Sequence, residues 1–236
     1  MSLSALRQQL RDQSSAKRAV SALRFFKTGP GEYGEGDRFL GLTVPQVRSM
    51  LPQANELTEA EVLKLLHSKW HEERLLALLI LVRRFEKAPQ SEKQRERIVK
   101  CYLENTQWIN NWDLVDTSAP HILGRWLLKR DRTVLSKLAR SHSLWEQRIS
   151  VLATLAFIRK GQFDDTLRLC QHFLDHPHDL MHKACGWMLR EIGKRDVETL
   201  LLFLDEHAPR MPRTMLRYAI EKLPVTSRRK YLARKA

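Results

Sequence analysis

The chain has little cysteine, few helix breakers, a deficit of acid and no long apolar run. Three cysteines, Cys101, Cys170 and Cys185, stand among 236 residues with no CxxC spacing. A disulfide framework is thereby excluded, and each thiol, lying among apolar neighbours, is expected to be a reduced core residue of a cytoplasmic protein. No stretch approaches the ~18 consecutive apolar residues of a membrane span, so no membrane contact is expected. The opening MSLSALRQQLRDQSSAKR has no apolar centre of the secretory kind, which fits the same cytoplasmic expectation. Strand-type alternation of apolar and polar residues is missing throughout. Breakers gather in the gaps: Gly29 to Gly36, Pro45, Pro52, Pro89, Pro177, Pro209, Pro212 and Pro224. Acid is short by a wide margin, with 27 Asp and Glu against 41 Lys and Arg and a formal net charge of +14. The basic residues are spread along the chain, which points to a distributed footprint for a polyanion rather than a basic tail.

What is present is helical. Hydrophobic residues make up 43% of the chain, enough for a sizeable core. WHEERLLALLILVRRF (Trp70 to Phe85) is apolar on a broad face with charges opposite. LWEQRISVLATLAFIR (Leu144 to Arg159) and LMHKACGWMLREIGK (Leu180 to Lys194) repeat that design. Arg74, Arg148 and Lys183 occupy corresponding places in the three runs, and NNWDLVD falls where an evenly spaced fourth should lie. The implied period is roughly 35–40 residues, the size of a two-helix HEAT-type repeat. The expectation is an all-α curved solenoid of antiparallel helix pairs (HEAT-like repeats) with a basic concave face, in a single domain over residues 1–236. TGPGEYGEGDRFLG (Thr28 to Gly41) formally spells GxGxxG. No strand precedes it, and Glu32, Glu35 and Asp37 would repel a pyrophosphate, so it is expected to be a helix–helix connection with positive-φ turns.

Two carboxylates interrupt NNWDLVDTSAP (Asn110 to Pro120). Asn110 or Asn111 suits a helix N-cap, and Asp113 falls in the first turn, where the helix dipole favours an acid. Asp116 has no such explanation. It lies four residues from Trp112 and so shares its face, and Pro120 removes the backbone donor that the Asp116 carbonyl would accept, which can kink the helix. A buried carboxylate needs a partner, so Asp116 either pairs with an arginine such as Arg148 or faces a cleft and does chemistry. Trp145 and Arg148 share a second face; Arg148, expected at the polar edge of its apolar run, either pairs locally or grips a phosphate. In KACGWMLRE, Gly186 would let something approach closely beside Trp187, with Lys183 and Arg190 flanking. His67 and His71, and the group Cys170, His172, His176, His178 and His182, are better explained as loop and helix-end side chains than as ligands, and no metal is expected. The C-terminal TSRRKYLARKA is either a solvated final helix or a source of further phosphate contacts.

Three blocks, WDLVDTSAPHILG (Trp112 to Gly124), LWEQRISVL (Leu144 to Leu152) and HKACGWMLREIGK (His182 to Lys194), with a weaker fourth in FLGLTVPQVR (Phe39 to Arg48), resemble in order and spacing the AlkD-like DNA glycosylases of the HEAT-like repeat class. The resemblance implies a cleft lined by Trp112, Trp187 and Asp116, with Arg148 as its arginine. It implies hydrolysis of the N-glycosidic bond of N3- or N7-alkylated, cationic purines in double-stranded DNA, without pulling the base into a pocket as most glycosylases do. No cofactor and no metal are implied, and a monomer is expected. A family tyrosine falls on Phe25, which keeps the ring and lacks the hydroxyl, and a cleft glutamine falls near Thr43. With Lys183 and Arg190 these complete the expected DNA-facing set. The alternatives are a non-catalytic helical-repeat binder of nucleic acid and a protein-interaction scaffold. Only the catalytic reading gives an acid facing phosphates something to do.

Overall fold

The structure is a computed structural model that describes residues 2–87 and 91–234. Pro89 and the last two residues of the basic C-terminal segment lie outside the described residues. The chain divides into two compact units, Met1–Ser118 and Ala119–Ala236.

The first unit holds α1 (Leu3–Asp12), α2 (Ala16–Phe25), α3 (Val44–Ser49), α4 (Glu59–Leu66), α5 (His71–Lys87), α6 (Glu92–Glu104) and α7 (Trp112–Ser118). Their starts follow from local chemistry. Ser2, Ser15 and Ser91 cap α1, α2 and α6 by accepting a free N–H of the first turn. Thr43 with Gln46, and Thr58 with Glu61, form reciprocal capping boxes on α3 and α4. Helix α5 is the hub, packed against α3, α4, α6 and α7. It is more deeply buried than its sequence implies. Glu72, Glu73 and Arg74 lie within the unit together with the leucines, which buried charge permits only with specific partners. Arg7 of α1 supplies one, its Nε donating to Glu73 Oε2 at 2.9 Å.

The second unit opens on a π turn at Pro120–Gly124. Helix α7 has already ended at Ser118, and the Gly124 N–H reaches back five residues to the Ala119 carbonyl at 2.9 Å. A kink was expected at Pro120; instead α7 ends before it and a wider turn follows. The unit continues through α8 (Thr133–Ala139), α9 (Leu144–Ala153), α10 (Leu155–Ile158), α11 (Asp164–His172), α12 (Asp179–Gly193), α13 (Val197–His207), α14 (Arg213–Ala219) and α15 (Val225–Ala233). The run from Leu144 to Arg159, expected as one helix, divides at Thr154. The Thr154 hydroxyl donates to the Val151 carbonyl at 2.7 Å and competes with the helical ladder. Helix α12 is the hub of this unit, touching α9, α10, α11, α13 and α14.

The all-helical expectation holds: among the described residues the only β feature is an isolated bridge between Arg38 and Trp70. Helices α4 and α5, α8 and α9, and α11 and α12 are packed neighbours joined by short connections, the pairing that a helical repeat requires. Among the described residues no helix is long and apolar enough to cross a membrane. The cysteines are free. Cys170 and Cys185 are buried, but Cys101 is only half-buried on α6 and is not the core residue expected.

Candidate functional site

In the first unit the site is built on α7. Asn111, fully buried, accepts the Trp112 N–H on Oδ1 at 2.9 Å and starts the helix. Asp113 is one residue into the first turn, and Asp116 lies one helical turn beyond Trp112 on the same face. Trp112 and Asp116 are both half-buried.

Asp113 does more than meet a helix dipole. Its Oδ2 accepts from His71 Nε2 at 2.8 Å, while His71 Nδ1 donates to Asp37 Oδ2 at 2.7 Å. With both ring nitrogens donating to carboxylates, His71 is an imidazolium. Burial alone would lower its pKa, but Asp113 and then Asp37 outweigh burial and hold it at about 9. Arg74 closes the set, giving Nη2 to Asp37 Oδ1 at 2.7 Å and Nη1 to the Ser68 carbonyl at 3.0 Å. Burial pushes the Asp37 carboxyl up, and His71 and Arg74 together pull it below its usual range. Two carboxylates and two cations thus balance inside a unit of a strongly basic protein, as buried charge requires. A neighbouring acid is also fully used: Glu72 accepts the backbone N–H groups of Leu40, Gly41 and Leu42 at 2.9, 2.8 and 3.2 Å.

Rings lie over this charge set. Phe26 stacks on Trp112 at 5.4 Å and 19°, and on Phe39 at 4.9 Å and 18°. The His71 ring meets Phe26 at 4.9 Å and Phe39 at 4.6 Å, so the imidazolium faces electron-rich surfaces. Phe25 presents its edge to Trp112 at 5.8 Å and is 63% exposed. Its neighbour Phe26 is the stacking partner, which the sequence reading passed over. Beneath Asp116, the buried Tyr102 hydroxyl bonds Ser118 Oγ at 3.0 Å. Burial raises the Tyr102 pKa, the Ser118 bond lowers it, and the negative charge of Asp116 raises it further.

The Thr28–Gly41 loop is the helix connection expected. Gly31, Gly36 and Gly41 take positive φ. The Gly29 and Gly31 N–H groups donate to Glu32 and Glu35 of the same loop, at 2.8 and 2.9 Å, so the loop's own acids occupy what a phosphate would need. Gly34 is where the loop presses onto the site: a Cβ there would meet the Phe26 carbonyl at 2.4 Å. The loop then delivers Asp37, whose sequence context suggested only repulsion. Thr43 is exposed and already engaged, accepting the Gln46 N–H while Gln46 Oε1 accepts the Thr43 N–H at 2.9 Å.

In the second unit the corresponding tryptophan is on α12. Trp187 is half-buried and donates to Glu191 one turn later. The close approach expected at Gly186 is made by α14: a Cβ on Gly186 would lie 2.5 Å from the Met215 carbonyl and 2.5 Å from Tyr218 Cβ. Arg148 is not at a polar edge. It is 4% exposed on α9, and its Nη1 donates to the Leu180 carbonyl in the first turn of α12 at 2.6 Å. Lys183 pairs with Asp179 at 2.7 Å on the same helix, and Arg190 Nη1 pairs with Glu221. The histidines are structural. His178 Nδ1 accepts the Leu180 N–H at 3.1 Å, His176 Nδ1 accepts the His178 N–H at 3.0 Å, and His176 Nε2 bonds Gln147 Oε1 at 2.9 Å. His67 bonds Asn105 and stacks on Trp108. Among the described residues no group of three His, Cys, Asp or Glu is placed to hold a metal ion.

Sequence reasoning thus found Trp112, Asp116 and Trp187 on half-buried helix faces within their units. It missed the charge set beneath Trp112. His71 was visible only as half of an i, i+4 histidine pair, and Asp37 only as a loop acid. The one available signal was HEER, three charges in a row opening the most apolar run in the chain.

A family profile described as "DNA alkylation repair enzyme" matches residues 6–223. No curated protein matches the sequence. Among solved structures, a "Predicted DNA alkylation repair enzyme from Enterococcus faecalis" is similar with a TM-score of 0.69 and 14% identity, over 90% of this chain and 98% of that one. At that identity the likeness establishes a shared fold.

Proposed function

Because the chain belongs to the DNA alkylation repair enzyme family, we propose that it is a monofunctional DNA glycosylase hydrolysing the N-glycosidic bond of N3- and N7-alkylated purines in duplex DNA. The observation that carries this reading is the pairing of Trp112 with Asp116 on one half-buried face of α7, in a protein of net charge +14. A carboxylate has no use in merely holding phosphates; beside a sugar that is becoming a cation it has one. The family match runs through both units, which supports treating residues 1–236 as one functional domain.

The chemistry asks little of the protein. An alkylated N3 or N7 leaves the base positively charged, so cleavage of the C1′–N bond returns the electron pair to the base, which departs neutral without a general acid. The sugar acquires oxocarbenium character. Asp116 stabilises that charge and takes a proton from the water that attacks C1′. The products are the free alkylated base and an abasic site. Trp112, fixed by its stack on Phe26, and Trp187 offer indole faces to the developing cation. The reaction proceeds in this reading without drawing the base into a pocket. Phe25, Thr43, Lys183 and Arg190 face the DNA: Phe25 as an exposed ring, Thr43 as an exposed hydroxyl, the two cations as charge for the phosphate backbone; Arg148, buried against the Leu180 carbonyl, serves the DNA-facing set by holding the start of α12. The protein acts as a monomer, with no cofactor and no metal.

The test is release of methylated bases from methylated duplex DNA by the wild type beside Asp116→Asn. Wild-type release should fall by about 10²–10³-fold in the variant, the size of a lost electrostatic stabiliser, with DNA affinity within about twofold, since a phosphate-facing acid adds nothing to binding. Full activity in Asp116→Asn removes that residue from the chemistry. No release by either protein, with salt-sensitive DNA binding intact, makes this a non-catalytic binder; no binding even at low salt makes it a scaffold.

A further inference from the structure

A cavity of about 500 Å³ opens in the first unit against α4, α5 and α6. Its floor is aliphatic: Val62 and Leu63 from α4, Leu81 from α5, and Ile98 with Cys101 from α6. Its rim is cationic: Arg83, Arg84 and Lys87 at the end of α5 and Arg97 on α6, against the single acid Glu59. None of Phe25, Thr43, Trp112 or Asp116 lines it. Arg84 is not a loose surface charge. Its Nη2 is bonded to the Leu57 carbonyl and lies 3.5 Å from that of Asn55, which fixes the guanidinium in the wall. Glu59 does little to cancel the rim: its ion pair with Arg97, at 4.0 Å, is between two exposed side chains, and the rest of its charge is felt by Arg84.

The volume is that of a small-molecule site. Apolar surface beneath a ring of cations selects a ligand with an apolar body and a negative end. No aromatic side chain is among the described lining residues, so the cavity offers a nucleobase no ring to stack on, and its aliphatic floor fits an alkyl chain. We infer that this cavity binds a small anionic amphiphile, an aliphatic chain ending in a carboxylate or phosphate, at a site separate from α7.

Cys101 reports on occupancy directly, because it lines the cavity and is half-buried while Cys170 and Cys185 are buried. Alkylation of Cys101 by N-ethylmaleimide, followed by intact mass, is measured against decanoate and decyl phosphate below their micelle concentrations. Either should slow alkylation saturably, by about tenfold at ten times its Kd; which binds tighter identifies the head group. Decanol and butyrate, lacking charge and chain respectively, should protect far less. Ile98→Trp, which fills the floor, should abolish protection. The double reversal Lys87→Glu with Arg97→Glu leaves the core untouched and should weaken protection by about fivefold or more. The inference is overturned if neither amphiphile protects, if decanol protects as well as decanoate, or if both variants bind like wild type. Protection by unmethylated duplex DNA in place of the amphiphiles would also overturn it and assign this face to nucleic acid. Base release by Asp116 does not enter the readout, so the glycosylase reading stands or falls separately.

Discussion

The two units hold a half-buried tryptophan in different ways. In the first, Trp112 stands over buried ions: Asp113 and Asp37 on either side of a protonated His71, with Arg74 behind. In the second, Trp187 follows Gly186, which is pressed against α14, and the helix starts on His176 and His178, whose Nδ1 atoms stay unprotonated to accept backbone N–H groups. The first unit balances buried charge beneath stacked rings; the second relies on close packing and neutral hydrogen bonds. The two devices fail under different perturbations, so they can be separated by experiment.

The largest effect is expected from His71→Leu. It leaves Asp113 and half of Asp37 without a cation in a buried setting, at a cost of about 3–5 kcal/mol. The midpoint of urea unfolding measures this, and a loss below 1 kcal/mol would mean that the charge set does not hold the unit together.

Next comes pH. The folded-state pKa of His71, about 9, lies above its ordinary value of 6.5. The folded unit therefore binds a proton that the unfolded chain releases. That stabilisation, up to about 3 kcal/mol, is whole below the ordinary value and disappears as pH rises through about 9. His176 and His178 are shifted the other way, by burial first; neighbouring histidine charge adds to this, and for His178 Asp179 opposes it. Their contribution is present above 6.5 and lost as pH falls. Amide exchange resolved by segment should show α5 and α7 loosening on the alkaline side and the start of α12 on the acid side. Loosening of both on the same side would break the comparison.

A smaller loss is expected at Gly186→Ala, because the new Cβ has only backbone and Tyr218 Cβ to displace. The cost is about 1–3 kcal/mol by thermal unfolding, with little change at pH extremes. A neutral outcome would show that α14 can move away at no cost. The smallest is Thr43→Ala. Loss of the capping box should take about 1 kcal/mol from stability and change DNA affinity by about twofold at most. A larger change in affinity would make Thr43 a principal DNA contact rather than a cap with an exposed hydroxyl.

Much of this was legible in the linear order of residues. The threonines before Gln46 and Glu61 and the serines before α1, α2 and α6 are local signals on which those helices start, and α7 begins after Asn111, one of the two caps expected. The i, i+4 spacing of Trp112 and Asp116 guarantees a shared face once α7 is helical. Arg148 was misplaced at a polar edge because helical periodicity registers an arginine as polar wherever it falls. Its burial depends on partners distant in sequence, among them the carbonyl of Leu180, thirty-two residues away.

By itself the sequence determined helicity, helix starts, the Trp112–Asp116 face and the surplus of positive charge. Each of these depends on residues within a turn or two of one another, or on composition. Tertiary structure decided which charges are buried, that His71 is an imidazolium, that α14 fills the space beside Gly186, and that cations ring an aliphatic cavity. Those properties arise where segments distant in sequence meet away from water, and there a side chain's charge state depends on its partners.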